Sequence, residues 1–151
     1  MATISVIFYK GPGNWADKAI RLWTRGPYSH CEIVLNHKRI GSDPKTMIIR
    51  ELDNYTLNSD KWDILTFEVN SSIANYLYTL ARMEYGKGYD WKNIIFSDIL
   101  PFDLENKEKW TCDEFCAYLL IAGKIIPGDK HANWYNPNKL YNKLIATGEF
   151  L

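Results

Sequence analysis

The sequence predicts an α+β fold in which helices pack on one antiparallel sheet. Three observations carry this expectation. Short β-branched segments alternate with turn residues between Thr3 and Val69. Apolar residues fall at helical spacing after Ser71. An apolar stretch near the end, Trp110 to Ala122, reads as a buried helix that begins beside a cysteine.

The elements follow in order. Thr3 to Tyr9 reads as a strand, ended by Lys-Gly-Pro-Gly. Asn14 caps a helix to about Thr24, in which Trp15, Ala19, Ile20, Leu22 and Trp23 form a broad apolar face. Gly26-Pro27 breaks it. Tyr28 to Leu35 is a strand, Asn36-His37-Lys38 a turn, and Arg39 to Ser42 a short return strand. Strands are expected at Thr46 to Leu52 and Trp62 to Val69. Ser71 or Ser72 caps a helix to about Tyr85, and Trp91 to Leu100 is a shorter helix stopped before Pro101. The Trp110–Ala122 helix ends at Gly123, and a last helix covers about Asn138 to Ala146.

The 151 residues fit one domain, 1–151, and 46% apolar residues suffice for a core. Eighteen basic and 18 acidic residues give zero formal charge, with no basic block, which argues against nucleic acid as a partner. No apolar run reaches the roughly 18–20 residues of a membrane span. The start has no basic region followed by a long apolar segment, so a cytoplasmic location is expected. Three cysteines, two of them four apart, make free thiols and no disulfide framework. No HExxH, paired CxxC or phosphate-binding glycine loop is present, so neither metal nor cofactor is expected.

Cys112 follows Thr111, a plausible N-cap, and so stands in a first helical turn. Unbonded N–H groups and the helix dipole there favour a thiolate and can receive an oxyanion. Cys116, one turn on, reads as core. On the 28–35 strand, alternation puts His30 and Glu32 on one face and Cys31, Ile33 and Leu35 on the other. An imidazole held by an acceptor is what a base needs to deprotonate a thiol. Glu32 is the same-strand candidate for that acceptor; Ser42, Asp43 and Glu51 are the others. Asp113 and Glu114 read as first-turn acids, His37 as a solvated turn residue and His131 as a loop residue. Tyr28, Trp91 and Trp110 are groove candidates by proximity in sequence.

The strings YSHCEIVL (28–35) and KWTCDEFCAYLL (109–120) resemble the circularly permuted branch of the NlpC-type papain-like hydrolases, in which His precedes Cys. That branch holds the YiiX/YebB-like group and the lecithin–retinol-acyltransferase-like proteins. FYKGPG (8–13), IRLWTRGPYSH (20–30), KWD (61–63) and YGKGYDWKN (85–93) are similar to its small phage-encoded members. The resemblance implies a papain-like core, with Cys112 as nucleophile, His30 as base and Glu32 as the acid of the "SHxE" string. It also implies a peptide, amide or acyl-ester substrate and, for a phage protein, the bacterial host cytoplasm, with virion association left open. The position twelve after His30 is Ser42, and no Gly-Gly follows it. A non-catalytic binding or virion-associated protein is the alternative. A thiol sensor is weaker, because Cys112 and Cys116 are not in CxxC spacing.

Overall fold

Residues 1–42, 48–53, 55–89 and 109–151 are described in a computed structural model. Five strands form one antiparallel sheet: β1 (Ala2–Tyr9), β2 (His30–Leu35), β3 (Lys38–Ser42), β4 (Ile49–Leu52) and β5 (Trp62–Val69). Their order is β4-β3-β2-β1-β5, so the first strand lies inside the sheet. Ser5 faces Val34 on one side and Thr66 on the other. Among the described residues four α-helices accompany the sheet: α1 (Trp15–Thr24), α2 (Ser71–Met83), α3 (Cys112–Ala122) and α4 (Pro137–Thr147). The fold is α+β, as the sequence predicts. The segment expected as a helix at 91–100 lies outside the described residues.

Alternation gives the sheet two unlike faces. Ile4, Val6 and Phe8 of β1, with Cys31, Ile33 and Leu35 of β2, are buried among the helices. α2 adds Ala74, Leu77 and Ala81 at helical spacing, and α3 adds Phe115, Cys116, Leu119 and Leu120. α3 is apolar nearly all round because it is enclosed on most sides. The other face carries His30 and Glu32 beside Tyr9, Ile7 and Trp62.

Local chemistry sets the boundaries. β2 begins at His30 because the backbone of Tyr28 is taken by another partner. Asn138 Oδ1 accepts the Tyr28 N–H (3.0 Å) and Asn138 Nδ2 donates to the Tyr28 carbonyl (2.9 Å). The cap of α2 is Asn70, whose side chain accepts the Ser72 N–H, one residue before the expected start. α4 starts at Pro137 behind the Asn136 cap. Trp110, expected in the helix, lies in a two-residue strand, β7 (Lys109–Trp110), parallel to β6 (Gly88–Tyr89). Thr111 then caps α3, its Oγ1 accepting the Glu114 N–H at 3.2 Å.

Candidate active site

Strand β2 and helix α3 bring Cys112 and His30 together. Cys112 is the first residue of α3, buried, and stands close enough to the His30 imidazole for each to shift the other's protonation. His30 opens β2, and its Nε2 lies 2.9 Å from Glu32 Oε1. With Nε2 engaged by the carboxylate, Nδ1 is the ring atom left for the sulfur. Like any first helical residue, Cys112 has no carbonyl within its helix to receive its N–H.

Glu32 is fully buried, and an isolated carboxylate could not stay charged there. Two arginines and the imidazole surround it. Arg39 Nε donates to Oε2, and Arg50 Nη2 stands 3.4 Å from Oε1. The register explains how Arg50 arrives. Gly41 pairs with Arg50 across β3 and β4, and its missing side chain opens the row to Glu32. The Arg39 guanidinium lies over the Trp62 ring, 4.6 Å from its centroid, and the His30 ring meets Trp62 at an edge, 6.4 Å between centroids.

The charges follow from these contacts. Burial opposes the carboxylate, but the hydrogen bond and charge of His30, with Arg39, outweigh it and hold Glu32 at about 2. Burial likewise opposes the His30 imidazolium, yet the Cys112 thiolate and Glu32 push it up to about 10. Cys112 is brought well below the ordinary thiol range, chiefly by a hydrogen bond from the Cys31 thiol, then by His30 and the Cys31 backbone against the cost of burial. Cys31 itself is raised, first by burial and then by Cys112 and Cys116. Asp113 Oδ1 lies 3.5 Å from Cys112 Sγ, a contact open to the protonated thiol. A thiolate–imidazolium pair backed by a carboxylate can attack an electrophilic carbonyl and then protonate a leaving group.

The remaining candidates are placed elsewhere. Ser42 is buried on the face opposite His30, two residues beyond Ile40 in the Ile33–Cys31 layer. The hairpin explains this. A three-residue turn would set Ser42 opposite Glu32, whereas the turn is Asn36-His37, both at positive φ, with Leu35 facing Lys38. Glu51 accepts from Lys38 (3.1 Å), from the Tyr78 hydroxyl (3.0 Å) and from Tyr85. It ties β4 to α2 and not to the imidazole. The Tyr28 hydroxyl donates to Asp63 at 2.5 Å, and its ring packs between Phe8 and Tyr141. Asp43, Trp91 and the side chain of Trp110 lie outside the described residues. His37 and His131 are exposed.

Sequence reasoning missed Arg39, Arg50, Gly41, Trp62 and Cys31. One signal could have found the arginines: a buried Glu32 requires cations, and Arg39 shares its face with Gly41 on the neighbouring strand. Among the described residues no group of three His, Cys, Asp or Glu is placed to hold a metal ion. Among them, too, no helix is long and apolar enough to cross a membrane. No family model matches the chain, and no curated protein matches it.

Proposed function

We propose that the protein is a cysteine hydrolase or an acyl-transferring relative, with Cys112 as nucleophile, His30 as general base and acid, and Glu32 as the group that orients His30. The supporting observation is a helix-start thiol beside an imidazole that a buried, doubly Arg-paired carboxylate holds in place. Such an arrangement costs desolvation of every member, and it is matched to one task, keeping a thiolate beside a proton donor.

In the proposed cycle Cys112 Sγ attacks the carbonyl carbon of an amide, ester or thioester. The carbonyl π electrons move to oxygen, where the Cys112 N–H at the start of α3 is the donor nearest to hand. His30 gives its proton to the departing amine, alcohol or thiol, leaving an acyl group on sulfur. Neutral His30 then takes a proton from water, or from a second acceptor, which attacks the acyl carbon and releases Cys112. Glu32 holds the ring throughout. The order of base and nucleophile, and helix α3 packed against the sheet, accord with a permuted papain-like core and with the similarity to NlpC-type hydrolases seen in the sequence.

The test is covalent labelling with a thiol-reactive acyl-analogue probe, read by intact mass. Wild type should gain one adduct at Cys112, and Cys112→Ala and His30→Ala should each abolish it. Labelling that persists in both variants overturns the proposal.

A further inference from the structure

Helix α1 turns its apolar side outward. Trp15 is 72% exposed, Leu22 82% and Trp23 52%, and Ala19 between them is exposed as well. Ala16 is the only buried residue of the helix. At 100° per residue the outward arc runs from Lys18 through Leu22, Trp15 and Ala19 to Trp23, and Arg25 follows above Lys18 at the C-cap. Both cations are exposed, and they form one edge of the apolar stripe. The single acid of the helix, Asp17, points to the other side and accepts the Asn14 N–H at 3.0 Å.

The helix is firmly made. Asn14 and Asp17 form a reciprocal capping box, and Arg25 closes the other end in the left-handed conformation. Arg21 anchors its inner side to the Gly11 carbonyl and to Ser29 Oγ, the latter at 3.2 Å. A rigid helix that shows tryptophan and leucine to solvent beside a basic edge has the composition of an interfacial helix.

We propose that α1 docks the protein on an anionic lipid surface, with Trp15 and Leu22 entering the headgroup boundary and Lys18 and Arg25 meeting lipid phosphates. The charge pattern favours this occupant over a second copy of the chain, which in an antiparallel two-fold contact would bring Lys18 and Arg25 against their own copies. The inference is independent of the chemistry at Cys112.

The experiment is co-sedimentation of the full chain with vesicles of phosphatidylglycerol and phosphatidylcholine, and with phosphatidylcholine alone. Binding to the anionic vesicles should exceed binding to the neutral ones and fall as salt rises. Trp15→Ser with Leu22→Ser should weaken it at least about tenfold, and Lys18→Gln with Arg25→Gln roughly thirtyfold. All four positions are exposed, so thermal melting should change little and serves as the folding control. Absence of anionic-vesicle binding, or equal binding by both variants, overturns the proposal. So does a wild-type dimer in light scattering that Trp15→Ser with Leu22→Ser converts to monomer, because a second copy would then own the face.

Discussion

Gly41 leaves the space that the Glu32 side chain occupies: a methyl group on Gly41 would stand 2.5 Å from Glu32 Cγ and 2.9 Å from its carboxyl carbon. The contact lies inside a packed sheet face, so neither partner can retreat into solvent. Gly41→Ala should therefore cost roughly 1–3 kcal/mol of stability, the range for overpacking a buried position. It should also displace the carboxylate from His30, so that probe labelling of Cys112 slows by more than the stability loss explains. Chemical denaturation and the labelling rate, taken together, check this. Wild-type behaviour in both would show that the strand shifts freely at position 41.

Removing the carboxylate should hurt more than removing its space. Glu32→Gln leaves Arg39 and Arg50 beside a neutral amide in a site with little water, and a broken buried ion pair costs roughly 3–5 kcal/mol. The pH dependence has a definite sign. Glu32 is held at about 2, below its unfolded value, so its contribution is complete above about 4.5 and is lost as pH falls toward 2. Denaturant midpoints across that acid range should fall steeply for wild type and more gently for Glu32→Gln. Parallel curves would remove Glu32 from the acid response.

Cys112 should stay nucleophilic at pH values where an ordinary thiol, with a pKa of about 8.5, is protonated. Its pKa lies well below the usual range, and His30 remains charged up to about 10. Alkylation by a neutral reagent, followed against pH, should give a low-pH limb that His30→Ala moves upward. Cys31→Ala should move it in the same direction, with Cys31→Ser, which restores a donor, in between. A limb near pH 8.5 in the wild-type protein would contradict the thiolate–imidazolium pair.

Asn138 joins the C-terminal helix to the strand that carries the base. Its side chain makes both hydrogen bonds to the Tyr28 backbone and a third to Thr24 Oγ1 at 2.6 Å. Asn138→Ala strands two buried backbone groups, at about 1–3 kcal/mol each before any relaxation. Because Tyr28 lies two residues before His30, labelling of Cys112 should slow in this variant even at temperatures where circular dichroism reports a folded chain. An unchanged labelling rate would mean that the strand positions His30 without help from α4.

How much of this was legible depended on whether the information was local. The Thr111 cap and the placing of His30 with Glu32 follow from neighbours in sequence, and the strands did too, to within a few residues. Ser42 was misplaced because one residue more or less in a turn reverses every side chain beyond it. Asn36 and His37 both take positive φ, which these residue types allow but do not dictate, so the turn's length is not written in them. Arg39 and Arg50 read as ordinary surface cations, since only the β2-β3-β4 pairing brings them to Glu32. The apolar stripe of α1 could be drawn from spacing alone, but spacing gives a stripe no direction. Its outward turn depends on what the rest of the chain leaves uncovered.

The base enters the fold early, on β2, and the sulfur late, on α3, with β3, β4, β5 and α2 between them. On the proposed reading, a nascent or clipped chain that stops short of Cys112 owns an imidazole and nothing for it to activate. The attacking sulfur exists only once the chain has been made through the start of α3, so a chain shortened before that point should take up no probe.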